Sequence, residues 1–135
     1  MPRSFFKRLL LVLVTALALF FVGSWVYAFY VDIGVEARNP PPGRLVDIGS
    51  TRLHMYCTGR GSPTVILETG SNAWSSSWSK VQTQLSAHTR VCSYDRGGLG
   101  WSESGVLPRN YTTQLSELNA LLEKSGEAAP YVMVG

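Results

Sequence analysis

Tyr94-Asp95-Arg96-Gly97-Gly98-Leu99-Gly100-Trp101-Ser102 is the stretch that decides how this 135-residue chain folds. A short strand-like run, Arg90 to Tyr94, leads into it. Gly97, Gly98 and Gly100 then mark a tight turn, because glycine accepts positive φ at little steric cost. Asp95 is placed to accept backbone N–H groups inside that turn. A dinucleotide fingerprint is excluded. Gly98-Leu99-Gly100 supplies two of its glycines, but position 103 is Glu, and Gly105 and Pro108 keep a helix from opening at once. An Asp beside the turn would also repel a pyrophosphate.

Outward from this turn the pattern is one of short strands and helices. Leu45 to Ile48 and Leu53 to Cys57 flank Gly49-Ser50-Thr51 and read as a hairpin. Thr64 to Leu67, Arg90 to Tyr94 and Tyr131 to Val134 are continuous apolar runs, as expected of strands covered on both faces. Trp74 to Ala87 places Trp78, Val81 and Leu85 at helical spacing, and Thr113 to Ser125 does the same for Leu115, Leu118, Leu121 and Leu122. Thr112 or Thr113 is the expected cap of the second helix, and Gly126 lies just past its end. A hairpin followed by strand, helix, strand, helix and strand predicts an α/β layered sheet.

The amino-terminal part is of another kind. Positions 1–8 form a basic tip, and Leu9 to Val31 is almost unbroken apolar sequence with no polar face. That length suits a single transmembrane helix, a signal anchor, over 9–31. Trp25, Tyr27 and Tyr30 sit at its outer end, where amphipathic rings favour the membrane interface. Arg3, Lys7 and Arg8 precede it and Asp32 and Glu36 follow, which predicts a cytoplasmic amino terminus and a domain on the extracytoplasmic side. The alternative is secretion after cleavage of a signal peptide near Val26-Tyr27-Ala28. After residue 31 basic and acidic residues balance at nine each, so the net charge of +3 sits on the tip. No basic patch interleaved with aromatics follows, which argues against nucleic acid as a partner. Positions 32–44, with Pro40, Pro41 and Pro42, read as a proline-rich linker, and 45–135 as the folded domain.

Thr64 to Trp78, TVILETGSNAWSSSW, runs a strand into Thr69-Gly70-Ser71-Asn72 and then a helix. A glycine there lets the chain turn and leaves a backbone N–H facing a cleft, the material of an oxyanion hole. The hairpin, this strand and glycine turn, the YDRGGLGWS strand and turn, a helix with Glu117-Leu118-x-x-Leu121-Leu122, and Tyr131-Val132-Met133-Val134-Gly135 come in the order of an α/β-hydrolase, and residues from about Gly43 to Gly135 resemble the amino-terminal half of that fold.

The resemblance implies the following. Tyr131 to Val134 leads toward GxSxG, the elbow that carries the nucleophile, with Gly135 matching its first glycine. Nucleophile, acid and histidine would lie beyond Gly135, so the chain is expected to be an inactive amino-terminal fragment, marginal in stability, of a hydrolase with a small-molecule substrate and no cofactor or metal. Ser71 matches the oxyanion donor through its backbone N–H, and Gly70 the oxyanion turn. The family has His-Gly where this chain has Thr69-Gly70. Asp95, Arg96, Gly97, Gly98, Gly100 and Trp101 match the turn that shapes the cleft. His54 and His88 match no catalytic position and read as surface or packing residues, and Ser75-Ser76-Ser77 has no base to activate it. The family's strand order sets Cys57 beside Cys92 and implies a disulfide, in keeping with an oxidising compartment. A serine hydrolase acting on an ester or related acyl bond is the leading expectation. An Asp nucleophile, as in epoxide or haloalkane hydrolases, and a non-catalytic membrane-tethered binding module are the alternatives.

Overall fold

The computed structural model describes residues 3–135. Met1 and Pro2 of the basic tip, and the side chains of Arg3, Glu36 and Ala37, lie outside the described residues. The chain divides into two compact units that meet at Pro40–Pro41.

The first unit is one helix, α1 (Arg3–Arg38). Its segment Ser4–Val35 is long and apolar enough to cross a membrane and none of it is buried; a signal sequence meets the same criterion. Thr15, in the middle of the apolar run, returns its hydroxyl to the Leu11 and Val12 carbonyls at 2.9 Å each, so it adds no unpaired polar group. The helix continues past the expected linker boundary, through Arg38, so the first seven residues of the segment read as a linker, 32–38, are helical. Asp32 to Arg38 contains only Gly34 as a weak breaker, whereas Pro40, Pro41 and Pro42 impose the stop.

The second unit is a mixed five-stranded sheet with helices on both faces. Its elements are β1 (Arg44–Asp47), β2 (Arg52–Thr58), β3 (Thr64–Leu67), a 3₁₀ turn (Ser75–Trp78), α2 (Ser79–Leu85), β4 (Val91–Tyr94), α3 (Tyr111–Ser125) and β5 (Tyr131–Val134). The strand order is β1-β2-β4-β3-β5. β1 and β4 are antiparallel to β2, and β3 is parallel to both β4 and β5. Each residue of β3 and β4 is buried, as their apolar composition predicts. On one face Leu53, Met55, Ile66, Cys92 and Tyr94 meet Leu121 of α3; on the other, Val65, Leu67 and Val91 meet Trp78 and Leu85.

Four local expectations change. Gln82, not Val81, is the buried residue of α2, and its amide donates to the Tyr56 carbonyl at 2.9 Å. The 3₁₀ start shifts the helical phase, which turns Val81 outward. Leu115 is likewise exposed, because α3 leans on the sheet through Leu118, Leu121 and Leu122. The cap of α3 is Asn110, whose side chain accepts from the Thr113 N–H at 2.9 Å. Asn wins over the threonines because it stands in extended backbone one residue before the helix. Finally, β5 is not covered on both faces. Tyr131 is half-buried but Val132, Met133 and Val134 are exposed, because α2 packs on β4 and α3 on β1, while β5 is an edge strand paired only with β3.

The cap gives a direct test. Asn110→Ala should lower the unfolding free energy by about 1 kcal/mol and Asn110→Gly by only a few tenths, measured by urea denaturation; equal losses would remove the side chain's role as cap.

Candidate functional site

The site forms at the carboxyl ends of β3 and β4, where two loops leave neighbouring parallel strands and face each other across a crevice. Asp95 follows β4 directly and is fully buried. Its Oδ1 accepts the Ser75 N–H at 2.6 Å, and its Oδ2 accepts the Trp101 N–H at 3.0 Å. The Nδ1 of His54 lies 2.9 Å from Oδ2, and a proton there completes the set. One carboxylate thus ties together β2, the loop after β3 and its own glycine turn. Burial by itself would raise the Asp95 carboxyl; the hydrogen bonds from His54, Ser75 and Trp101 outweigh it and hold the group below the usual carboxylate range.

His54 is therefore not a surface residue. It is fully buried, with its ring 5.0 Å from that of Trp101. The alternation of β2 points it to the face opposite Leu53 and Met55, toward Asp95. That alternation was readable in Leu53-His54-Met55; its partner, 41 residues on, was not. His88 is exposed, as expected.

Arg96 works on the same loop from its other end. Its guanidinium donates to the Thr69 carbonyl at 2.9 Å and also to the Gly70 carbonyl. Its Nε lies 3.5 Å from the Glu68 carboxylate, which also accepts the Tyr94 hydroxyl. Burial first, and the Glu68 hydrogen bond second, drive the Tyr94 phenol well above its ordinary range, so it stays protonated as a donor. Residues 69 to 75 are thus pinned at one end by Arg96 and at the other by Asp95. Thr69 is buried and donates its hydroxyl to the Ala73 carbonyl at 3.1 Å, closing the loop on itself.

Gly70 needs no special backbone angle, and a Cβ there would meet nothing within 4 Å. The left-handed residue of the turn is Asn72, with φ 59°. The expectation that Gly70 makes the bend is corrected accordingly: Asn tolerates that region through its short polar side chain. In the facing turn, Gly98 and Gly100 take φ of 83° and 52°. Gly97 is there for close approach instead, since a Cβ would stand 2.5 Å from the Gly105 Cα. Glu117 of α3 fastens the far side, accepting Arg109 Nη1 at 2.6 Å and the Val106 N–H at 3.0 Å.

Between the loops lies a cavity of about 310 Å³ lined by Ser71, Asn72, Arg96, Gly97, Leu99 and Arg109, with Gln114 at its edge. Among the described residues the Ser71 N–H donates to no protein acceptor. β5 ends alongside: the Glu68 N–H donates to the Val134 carbonyl at 2.7 Å, which sets Gly135 against Glu68. Ser71, Gly70, Arg96 and Gly97 are thereby brought together. Asp95 and Trp101 stand behind them as supports. Cys57 and Cys92 are joined by a disulfide on the face of the sheet covered by α3, away from this cavity. A larger, more enclosed cavity of about 380 Å³ lies against α2 and is lined by hydroxyl residues together with Pro42, Gln82 and Trp101, but it touches neither Gly70 nor Ser71.

This architecture recurs in solved structures. The enol-lactonase from Burkholderia xenovorans LB400 superposes with a TM-score of 0.60 at 24% identity, over 68% of this chain and 37% of that one. The epoxide hydrolase CorEH does so with a TM-score of 0.61 at 25% identity, over 68% and 32%. Residues 41–135 carry part of an α/β-hydrolase fold. No family model matches the sequence. Among curated proteins, an "AB hydrolase superfamily protein" of Gibberella zeae is 32% identical over 105 residues, which is 77% of this chain and 31% of that protein. A "Probable transporter efuK" of Hormonema carpetanum is 32% identical over 97 residues, 67% of this chain and 14% of that protein. The chain spans less than half the length of the curated relatives it matches, at most 42%.

Asp95 predicts a pH dependence. Its folded pKa is depressed, so the stability it contributes is present above the unfolded value near 4 and is lost as pH falls through the lower folded value. Thermal stability should therefore fall on acidification below about pH 4, and the fall should be shallower in Asp95→Asn. That variant should also lose about 3 kcal/mol at neutral pH, because an amide oxygen cannot serve three donors. An unchanged acid limb, followed by circular dichroism, would count against the hub.

Proposed function

We propose that this chain is the amino-terminal part of a membrane-anchored serine hydrolase acting on an ester or related acyl bond. The observation that carries the reading is the free Ser71 N–H, held in a crevice beside the ends of β3 and β5 by Asp95 and Arg96. In acyl transfer the carbonyl oxygen gains negative charge when the nucleophile adds. A backbone donor fixed in advance stabilises that charge without reorganising, a contribution of about 3 to 4 kcal/mol where one such donor has been removed elsewhere. The Ser71 hydroxyl has no part in this. The nucleophile itself is assigned to residues beyond Gly135, where β5 would carry the chain toward Ser71. On this reading the 135-residue chain is inactive alone.

The likeness to an epoxide hydrolase keeps an Asp nucleophile as the second reading, because the same strand can present either residue. A non-catalytic binding module, the remaining alternative, draws on Thr69 in the family's His position. The residues after Gly135 separate all three: His-Ser-x-Gly-Gly supports the serine enzyme, an Asp in the serine position the second reading, and a stop codon the binding module. A fluorophosphonate probe should label the longer gene product and leave residues 1–135 unlabelled; covalent labelling of the shorter chain would overturn the assignment.

We assign α1 as a membrane anchor with the folded unit on the extracytoplasmic side, on its length and on Lys7 and Arg8 before the apolar run. Alkaline phosphatase fused after Gly135 should be active and stay in the membrane fraction after a carbonate wash. Release of the fusion would support the cleaved form, and an inactive fusion would reverse the orientation.

A further inference from the structure

The two ends of the Cys57–Cys92 bond differ in their surroundings. The cysteines face each other across the antiparallel β2–β4 ladder, whose backbone bonds do not depend on the sulfurs. Cys92 is fully buried in the core packed by α3. Cys57 is half-buried and lines an open cavity of about 360 Å³ with Arg44, Tyr56, Arg90 and Glu127. The Glu127 carboxylate comes within 4.8 Å of both sulfurs. Arg90 holds it through two hydrogen bonds, 2.9 and 2.7 Å. Arg44 donates to the Ser125 carbonyl, a neutral acceptor, so its charge is not cancelled there. Two guanidiniums against one carboxylate leave the cavity positive.

We propose that this bond is a thiol-exchange site, attacked at Cys57 by a small anionic thiol of the glutathione class. Burial closes Cys92 to the incoming sulfur and leaves Cys57 as the point of entry. The thiolate forms a bond to the Cys57 Sγ as the Cys57–Cys92 bond breaks. The electron pair leaves on the Cys92 Sγ, which takes a proton from water. The products are a mixed disulfide on Cys57 and a buried thiol at Cys92. Loss of that proton and attack of the Cys92 sulfur on the mixed disulfide expels the small thiol and restores the bond, so no oxidant is consumed. Positive charge at the entrance raises the local concentration of an anionic thiol over a neutral one. The β2–β4 ladder keeps the strands in register through the cycle. The site lies outside the hydrolytic crevice and does not depend on the activity proposed for it.

The test uses the full chain in detergent micelles, oxidised, without denaturant. It is treated with reduced glutathione, quenched in acid, alkylated and mapped by peptide mass spectrometry. The expected result is a glutathione adduct on Cys57 with alkylation on Cys92. Adducts shared equally between the two cysteines, or a bond that opens only after denaturant is added, would overturn the proposal. A second comparison isolates the charge: Arg44→Gln should slow exchange with glutathione about threefold or more and leave exchange with neutral mercaptoethanol unchanged. An equal change with both thiols, or none with either, rejects the positive entrance.

Discussion

The Asp95 carboxylate carries its charge inside the protein, and the loops of the crevice depend on that charge being matched. An isolated buried carboxylate would cost many kcal/mol or take up a proton. Here two backbone N–H groups and the His54 ring meet it, from three separate segments. The electrostatic requirement becomes a geometric one: β2, the loop after β3 and the glycine turn must arrive together. Gly100 belongs to the same requirement, because a Cβ there would stand 2.4 Å from the Asp95 Oδ2. Of the three glycines in the turn, Gly100 is the one that the closely wrapped carboxylate requires.

Arg96, the next residue, extends the constraint without repeating it. Asp95 collects donors and Arg96 collects acceptors, the Thr69 and Gly70 carbonyls. A peptide whose carbonyl is held has its following N–H held as well, since the peptide unit is planar. Arg96 therefore fixes the Ser71 N–H through the Gly70 carbonyl. The side chain of Thr69 is therefore not needed to orient that N–H. The orientation of that peptide comes from Arg96 in the facing loop, and the Thr69 hydroxyl serves only to close its own loop.

The sequence carried the strands well because each was written twice, in apolar composition and in the turn residues that bound it. β3 and β4, buried throughout, are the clearest cases. It carried the helices less well. A helical pattern fixes a face only if its phase is known, and the 3₁₀ turn before α2 moved that phase by enough to exchange Val81 for Gln82. The cap of α3 was missed between neighbours of similar chemistry, where backbone angle decided. β5 read as a central strand from composition alone, yet burial depends on what lies beside it. Around the crevice the glycine turn was legible, because positive φ at Gly98 and Gly100 and close approach at Gly97 select glycine. The His54–Asp95 contact was not, because 41 residues separate partners that only the β2–β4 register brings together.

Register also explains how the groups around the crevice come to be positioned. They are a backbone amide, a carboxylate and a guanidinium on β3, β4 and the loops that leave them. Those strands are central and buried, so the positions of these groups follow from the core rather than from any group that later approaches. An arrangement of that kind is set by the fold itself and does not wait on a ligand. β5 is hydrogen-bonded to β3 along its length, so its carboxyl end is carried to the same end of the sheet as the loop after β3, one strand spacing of about 4.8 Å away.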